Sequence, residues 1–275
     1  MEANRTGCFE GVFQASLHAD HIIAISHFSK RHFLETFPHY PDERVTVMHL
    51  ASRFCGILPV ERPAQCAQLQ PGKFWLCVGT LEPRKNHARL LHAYARLKAR
   101  LGSVEPLVLA GGKGWLMDDM HRLIDKLGLV GDVVFTGYVD DRALQWLYQN
   151  CYAALYPSLF EGFGLPVLEA MSLGAAVITS DVTSLPEIAS DAALMVDPYQ
   201  EQAICNAMAR LVTIPGLREQ LQERAAAQAG RFRWESAAHT VLRCYEQALL
   251  SPRLQEVLEQ RATPEWAVDS LPQAA

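Results

Sequence analysis

The stretch from Tyr152 to Gly174 constrains the fold most. An apolar run, Tyr152–Tyr156, leads into a turn holding Gly162 and Gly164; Leu165, Leu168, Met171 and Leu173 then recur at helical spacing. A short run that is apolar at every position suits a strand covered on both faces, as in a parallel sheet. Strand, turn and helix in that order make one β-α unit. The pattern recurs. Apolar runs at Phe74–Val78, Pro106–Ala110, Asp132–Phe135, Ala175–Thr179 and Ala193–Val196 alternate with helical stretches such as Asp140–Gln149 and Gln200–Leu211. Such alternation predicts right-handed β-α-β units and a parallel sheet with helices on both faces. Trp234 to Leu250 reads as a terminal helix, and Ser251 to Ala275 as a short helix followed by a tail.

Ligands of open parallel sheets sit at strand C-termini, and two such ends carry chemistry here. In the first, Glu161 lies in the glycine turn and Glu169 about one turn into the following helix. Gly162 and Gly164 let a ligand approach the backbone. Pro166 suits the first helical turn, whose free N–H groups can hold a phosphate. Glu169 could accept hydrogen bonds from sugar hydroxyls. The same pair also fits a solvated Glu161 and a Glu169 that only offsets the helix dipole. The second end shifts that balance. Thr80-Leu-Glu-Pro-Arg84-Lys85-Asn-His87 follows an apolar strand and precedes an amphipathic helix marked by Leu90, Leu91, Tyr94 and Leu97. Cations at a helix start oppose its dipole, so Arg84 and Lys85 want a reason, and neutralising a pyrophosphate leaving group supplies one.

At this point the chain resembles a known family. Val78–Asn86, Leu107–Gly114, Val133–Val139, Glu161–Glu169, Ala176–Ile188 and Phe232–Ala238 follow in the order of the motifs of retaining GT-B glycosyltransferases, the "glycosyl transferases group 1" family of bacterial mannosyl- and glucosyltransferases. The resemblance spans roughly Val45 to Leu250 and covers the C-terminal, nucleotide-binding half. It implies a Rossmann-like α/β domain that transfers a hexose from a nucleoside diphosphate sugar, with retention and without a metal or other cofactor, to a glycan or lipid-linked acceptor. By the same resemblance Lys85 and Arg84 would bind the donor diphosphate. Glu161 and the backbone of Gly162, Phe163 and Gly164 would meet sugar or phosphate. Leu165 and Pro166 would line the pyrophosphate end of the helix, Glu169 would hold the ribose hydroxyls, and the backbone near Tyr138 and Val139 would meet the base. Thr80 stands where many relatives have arginine, which makes Arg84 the candidate replacement. The form of the Thr80–Asn86 segment suggests GDP-mannose as donor.

The resemblance also sets boundaries. Residues 1–54 read as a remnant of the N-terminal acceptor domain, 55–72 as a linker, 73–250 as the donor-binding domain and 251–275 as a tail. Most of the acceptor domain is then expected to be missing. The strand-like Ile22, Ile23, Ile25, Val45 and Val47 would need another surface, such as a second copy in a homodimer. A nucleotide-sugar-binding module that needs a separate acceptor domain is the alternative function. A net charge of −5 argues against broad nucleic-acid affinity. No apolar run is long enough to span a membrane, and seven scattered cysteines without a C-x-x-C pair suit reduced thiols. A cytoplasmic protein is the expectation, with a peripheral place at the inner membrane as what the resemblance allows. The dispersed histidines fit no metal spacing, and Ala110–Gly114 lacks the full phosphate-loop pattern.

Overall fold

A computed structural model describes residues 11–12, 14–16, 18–54, 59–112 and 117–250. The expected tail, part of the expected linker and residues 113–116 lie outside the described residues. The chain forms two compact units, Met1–His49 with Trp234–Ala275, and Leu50–Arg233.

In the first unit, β1 (Ile22–Ala24) pairs in parallel with β2 (Val45–Val47), Ile22 opposite Val45. Helix α1 (His27–Thr36) lies between them in sequence and is capped by Ser26, whose hydroxyl accepts the Ser29 N–H at 2.9 Å. Ala24, Tyr40 and Val45 form a small core with Ile22, Phe33 and Leu34 against it. The final described helix, Trp234–Leu249, groups with this unit rather than with the sheet domain in which the sequence boundaries had placed it.

The second unit is the α/β domain. Its strands are β3 (Trp75–Val78), β4 (Leu107–Ala110), β5 (Val133–Gly137), β6 (Ala153–Tyr156), β7 (Val177–Ser180) and β8 (Leu194–Val196). All pair in parallel, in the order β5-β4-β3-β6-β7-β8. Several begin a residue or two later than their apolar runs because the leading residue joins the ladder only in part. Pro106 has no N–H, yet its carbonyl accepts from Trp75 at 2.8 Å. The intervening helices are α2 (His87–Leu101), α3 (Met117–Lys126), α4 (Asp141–Asn150), α5 (Leu165–Ser172), α6 (Leu185–Ala189), α7 (Glu201–Thr213) and α8 (Leu217–Ala229).

Burial explains the apolar runs. Trp75, Cys77, Leu107, Leu109 and Leu155 pack with Leu90, Leu91, Tyr94 and Leu97 of α2 and with Ile204 and Met208 of α7. The alternating residues Leu76, Val108, Ala154 and Tyr156 are buried too, as a sheet covered on both faces requires. The cysteines at 66, 77, 151, 205 and 244 are buried free thiols, and burial pushes those of Cys77 and Cys151 up to about 12. Much of the stretch expected to be a linker is fastened down. Cys66 is fully buried, the Gly72 N–H donates to the Asn150 carbonyl at 2.7 Å, and the Arg62 guanidinium covers the Trp146 ring at 4.7 Å.

The strand order reverses between β3 and β6, so the connections leave these neighbours in opposite directions and open a crevice at their C-terminal ends. That end is tight. A methyl on Gly111 would stand 2.1 Å from the Gly79 carbonyl oxygen, whereas one on Gly112 would meet nothing within 4 Å. Gly111→Ala is therefore expected to lower unfolding free energy by roughly 3 kcal/mol in urea denaturation, and Gly112→Ala to leave it nearly unchanged. Equal midpoints for the two variants would contradict this packing.

Candidate functional site

The switch-point crevice receives the loop after β3, carrying Thr80 to Asn86, and the loop after β6, carrying Pro157 to Gly164. Asn86 joins them. It adopts a left-handed φ of 63°, and its side-chain amide donates to the carbonyls of Pro157 at 3.0 Å and Pro198 at 2.7 Å. The Arg84 carbonyl accepts from the Leu159 N–H at 2.8 Å and from the Ser158 hydroxyl at 3.1 Å. The two loops therefore position one another.

Arg84, Lys85 and Glu161 come together in the crevice. One Glu161 oxygen, Oε1, accepts from Lys85 Nζ at 2.8 Å, Tyr156 Oη at 2.9 Å and Ser158 Oγ at 2.6 Å; Oε2 accepts from Arg84 Nη1 at 2.7 Å. Arg84 also pairs with Glu82 at 2.6 Å, and Lys85 also donates to the Tyr156 hydroxyl. The aliphatic stem of Lys85 runs past Gly79, where a methyl would touch it at 3.4 Å. Burial alone would raise the Glu161 pKa, but the Lys85 ammonium, the Ser158 hydroxyl and Arg84 overcome it, and the carboxyl lies below its usual value. Burial and the Glu161 charge raise the Tyr156 phenol well above its usual value, so it stays a donor. His87, behind Lys85, is pushed down to about 4 by burial and by that ammonium, and remains neutral.

The turn that carries Glu161 is held from β7's side. The Ser184 hydroxyl donates to the carbonyls of Glu161 and Phe163, both at 2.9 Å, and the Glu161 N–H donates to Thr183 Oγ1 at 3.2 Å. Phe163 is buried edge-on against Phe232. Gly164 opens α5 at φ 106°, where a methyl would lie 2.7 Å from Leu185. No side chain caps this helix start; Pro166 stands in its first turn and Leu165 is partly exposed. Gly162 is likewise partly exposed.

Glu169, a turn further on, is 3% exposed. Its Oε1 accepts from Arg53 Nε at 2.8 Å, and Tyr148 Oη stands 3.4 Å from Oε2. Burial raises its pKa, with Arg53 and the Tyr148 hydroxyl opposing. Arg53 also bridges to Asp141 at 2.9 Å. Thr80 is exposed beside Gly79. Tyr138 is 83% exposed after β5, with Val139 partly covered beyond it. The structure does not bring these three into contact with the Arg84–Lys85–Glu161 cluster. Sequence reasoning missed Arg53, Tyr148, Tyr156, Ser158 and the part played by Ser184; Tyr148, Tyr156, Ser158 and Ser184 lay inside stretches already singled out, but nothing in those stretches marked their hydroxyls as partners of the two glutamates.

Comparisons with known proteins identify the family and the fold. The model of the family described as "Glycosyl transferases group 1" matches residues 64–228. The chain belongs to this family. It is 37% identical over 232 residues to the O-antigen chain mannosyltransferase B of Escherichia coli, covering 82% of the chain and 60% of that protein. A serotype-specific mannosyltransferase of the same organism, WbdA, is 38% identical over 66% of the chain and 22% of its own length. The chain thus spans less than two thirds of the length of each of these relatives. Among solved structures, sucrose-phosphate synthase from Thermosynechococcus elongatus superposes with a TM-score of 0.70 at 25% identity, over 83% of the chain and 58% of that protein. Anabaena HepE, solved with UDP and glucose, gives 0.74 at 19% identity, over 86% and 66%, and shows the fold alone. The expected Rossmann-like α/β domain of a GT-B glycosyltransferase family is therefore present. No helix among the described residues is long and apolar enough to cross a membrane.

The ion cluster has a pH signature. The folded pKa of Glu161 lies below its unfolded value of about 4.5, so its stabilisation is complete above that value and is lost as pH falls through the lower folded one. Glu161→Gln leaves Lys85 buried with its charge uncompensated, and should cost about 3 kcal/mol near neutral pH. It should also flatten the acid limb of stability measured by urea denaturation across pH. Superimposable acid limbs would contradict the assignment.

Proposed function

We propose that this domain binds a nucleoside diphosphate sugar in the crevice between β3 and β6 and transfers its hexose, with retention, to a hydroxyl of a glycan or lipid-linked acceptor. The observation that carries the reading is the pair of cations, Arg84 and Lys85, held at a switch-point crevice beside an uncapped helix start. Without a donor, Glu161 bridges both cations and Glu82 supplies the second negative charge through Arg84. An entering diphosphate competes with Glu161 for them and extends towards the start of α5. The carboxylate then remains beside the sugar. Glu169 takes the ribose hydroxyls, and the exposed Tyr138 and Val139 lie on the base side.

In the reaction the bond from the anomeric carbon to the phosphate oxygen breaks, and the diphosphate leaves with the electron pair. Arg84 and Lys85 stabilise that charge, the role a metal plays elsewhere. The acceptor oxygen bonds to the same face of the anomeric carbon, and its proton passes to the departing diphosphate. Mannose is the sugar favoured by the names of the two Escherichia coli relatives, both mannosyltransferases, and an O-antigen chain the acceptor favoured by the first; GDP-mannose as the donor rests on the form of the Thr80–Asn86 segment.

Calorimetric titration with GDP, UDP and ADP tests the site. One nucleotide should bind preferentially, and Lys85→Ala should weaken it by about 1.5–3 kcal/mol through loss of a charge-assisted hydrogen bond. Unchanged affinity in a folded variant would overturn the phosphate assignment. Binding of the nucleotide sugar without turnover on any glycan acceptor would favour the binding-module alternative.

A further inference from the structure

Arg53 lies at the start of the second unit, far in sequence from every motif of the crevice, yet it touches the residue assigned above to the ribose. Its guanidinium reaches two carboxylates, Glu169 on α5 through Nε at 2.8 Å and Asp141 on α4 through Nη1 at 2.9 Å. Its own segment is pinned. The Ser52 hydroxyl accepts from Ser172 Oγ of α5 at 2.8 Å and from the Phe54 N–H at 3.2 Å. Phe54 is buried edge-on against Tyr148, with the Arg53 guanidinium 5.3 Å from its ring. About half of the Arg53 side chain is exposed, while the Glu169 side chain is 4% exposed. An exposed cation thus joins a buried carboxylate to the surface.

We propose that Arg53 is a positioning residue of the nucleotide site, fixing the Glu169 carboxylate as the hydrogen-bond acceptor for the ribose diol of the donor. The inference rests on the ribose assignment of Glu169. The groups that face Glu169 are Arg53 from its own segment and Tyr148 and Asp141 from α4. Tyr148 is a neutral donor and Asp141 is a like charge, so Arg53 is the one cation among them. A carboxylate this buried loses its charge readily once its cation goes, and a protonated carboxyl has surrendered part of its acceptor capacity. The Arg53–Asp141 bridge also ties the ribose-binding helix to the start of α4, two residues beyond Val139 on the base side.

The test is calorimetric titration of the whole chain with GDP, UDP and ADP and with their 2′,3′-dideoxy forms, comparing wild type, Arg53→Gln, Arg53→Lys and Glu169→Gln. For the ribose nucleotide that wild type binds, Arg53→Gln should lose about tenfold in affinity near neutral pH. That loss should shrink as the pH is raised within the range where the nucleotide base keeps its proton, since Glu169 then regains its charge, while wild type changes less over the same range. Arg53→Lys should recover part of the affinity, and the dideoxy nucleotide should bind wild type and Arg53→Gln alike. Wild-type affinity in Arg53→Gln, or an equal and pH-independent loss for ribose and dideoxy forms, would overturn the proposal. If Glu169→Gln binds both forms as wild type does, the ribose assignment itself fails, and the inference falls with it. Should Arg53→Gln not fold, Arg53→Lys carries the comparison: no selective effect on the ribose form would then overturn the proposal.

Discussion

A buried carboxylate facing two cations across the switch point organises the active end of this domain. Glu161 meets Lys85 and Arg84 from the neighbouring strand's loop and is further held by Tyr156 and Ser158. A charge this far from water is tolerable only with its donors in place. That requirement explains the surrounding detail. Asn86 turns left-handed to clamp two loops, Gly79 takes a φ of 149° beside the Lys85 stem, and Ser184 holds the turn that presents Glu161.

The same pairing makes functional sense of cations at a helix start, where the dipole disfavours them. Glu161 and Glu82 together neutralise them, so the folded domain does not carry two uncompensated charges in a crevice. On the proposed reading, an incoming diphosphate would replace one anion with another and leave the cations in position, so that binding would cost little of the reorganisation that preorganised electrostatic sites avoid. Glu169 is arranged differently, with a single cation, Arg53, at the surface and an aromatic hydroxyl behind it.

Much of the fold was legible because parallel strands buried on both faces write continuous apolar runs, and because Gly, Pro and a charged turn mark each strand end. The residue types at the two loops pointed to an anion site before any geometry was known. What could not be read is which strands become neighbours. Glu161 meets Arg84 and Lys85 only because β3 and β6 pair, and no local pattern encodes that adjacency. Tyr156 looked like one more apolar residue of a strand, yet its hydroxyl is part of the cluster. Arg53 gave no signal, since its partners lie on two helices far along the chain. The stretch 55–72 looked like a linker from its proline and glutamine content, although in its described part Cys66, Arg62 and Gly72 fasten it to the domain.

The most direct test of the central claim is a crystal structure of the chain with a bound nucleoside diphosphate. The account predicts the diphosphate between Lys85, Arg84 and the start of α5, with one or both Glu161 ion pairs opened and the ribose against Glu169. A nucleotide bound elsewhere, with the Glu161–Lys85–Arg84 cluster intact, would contradict it.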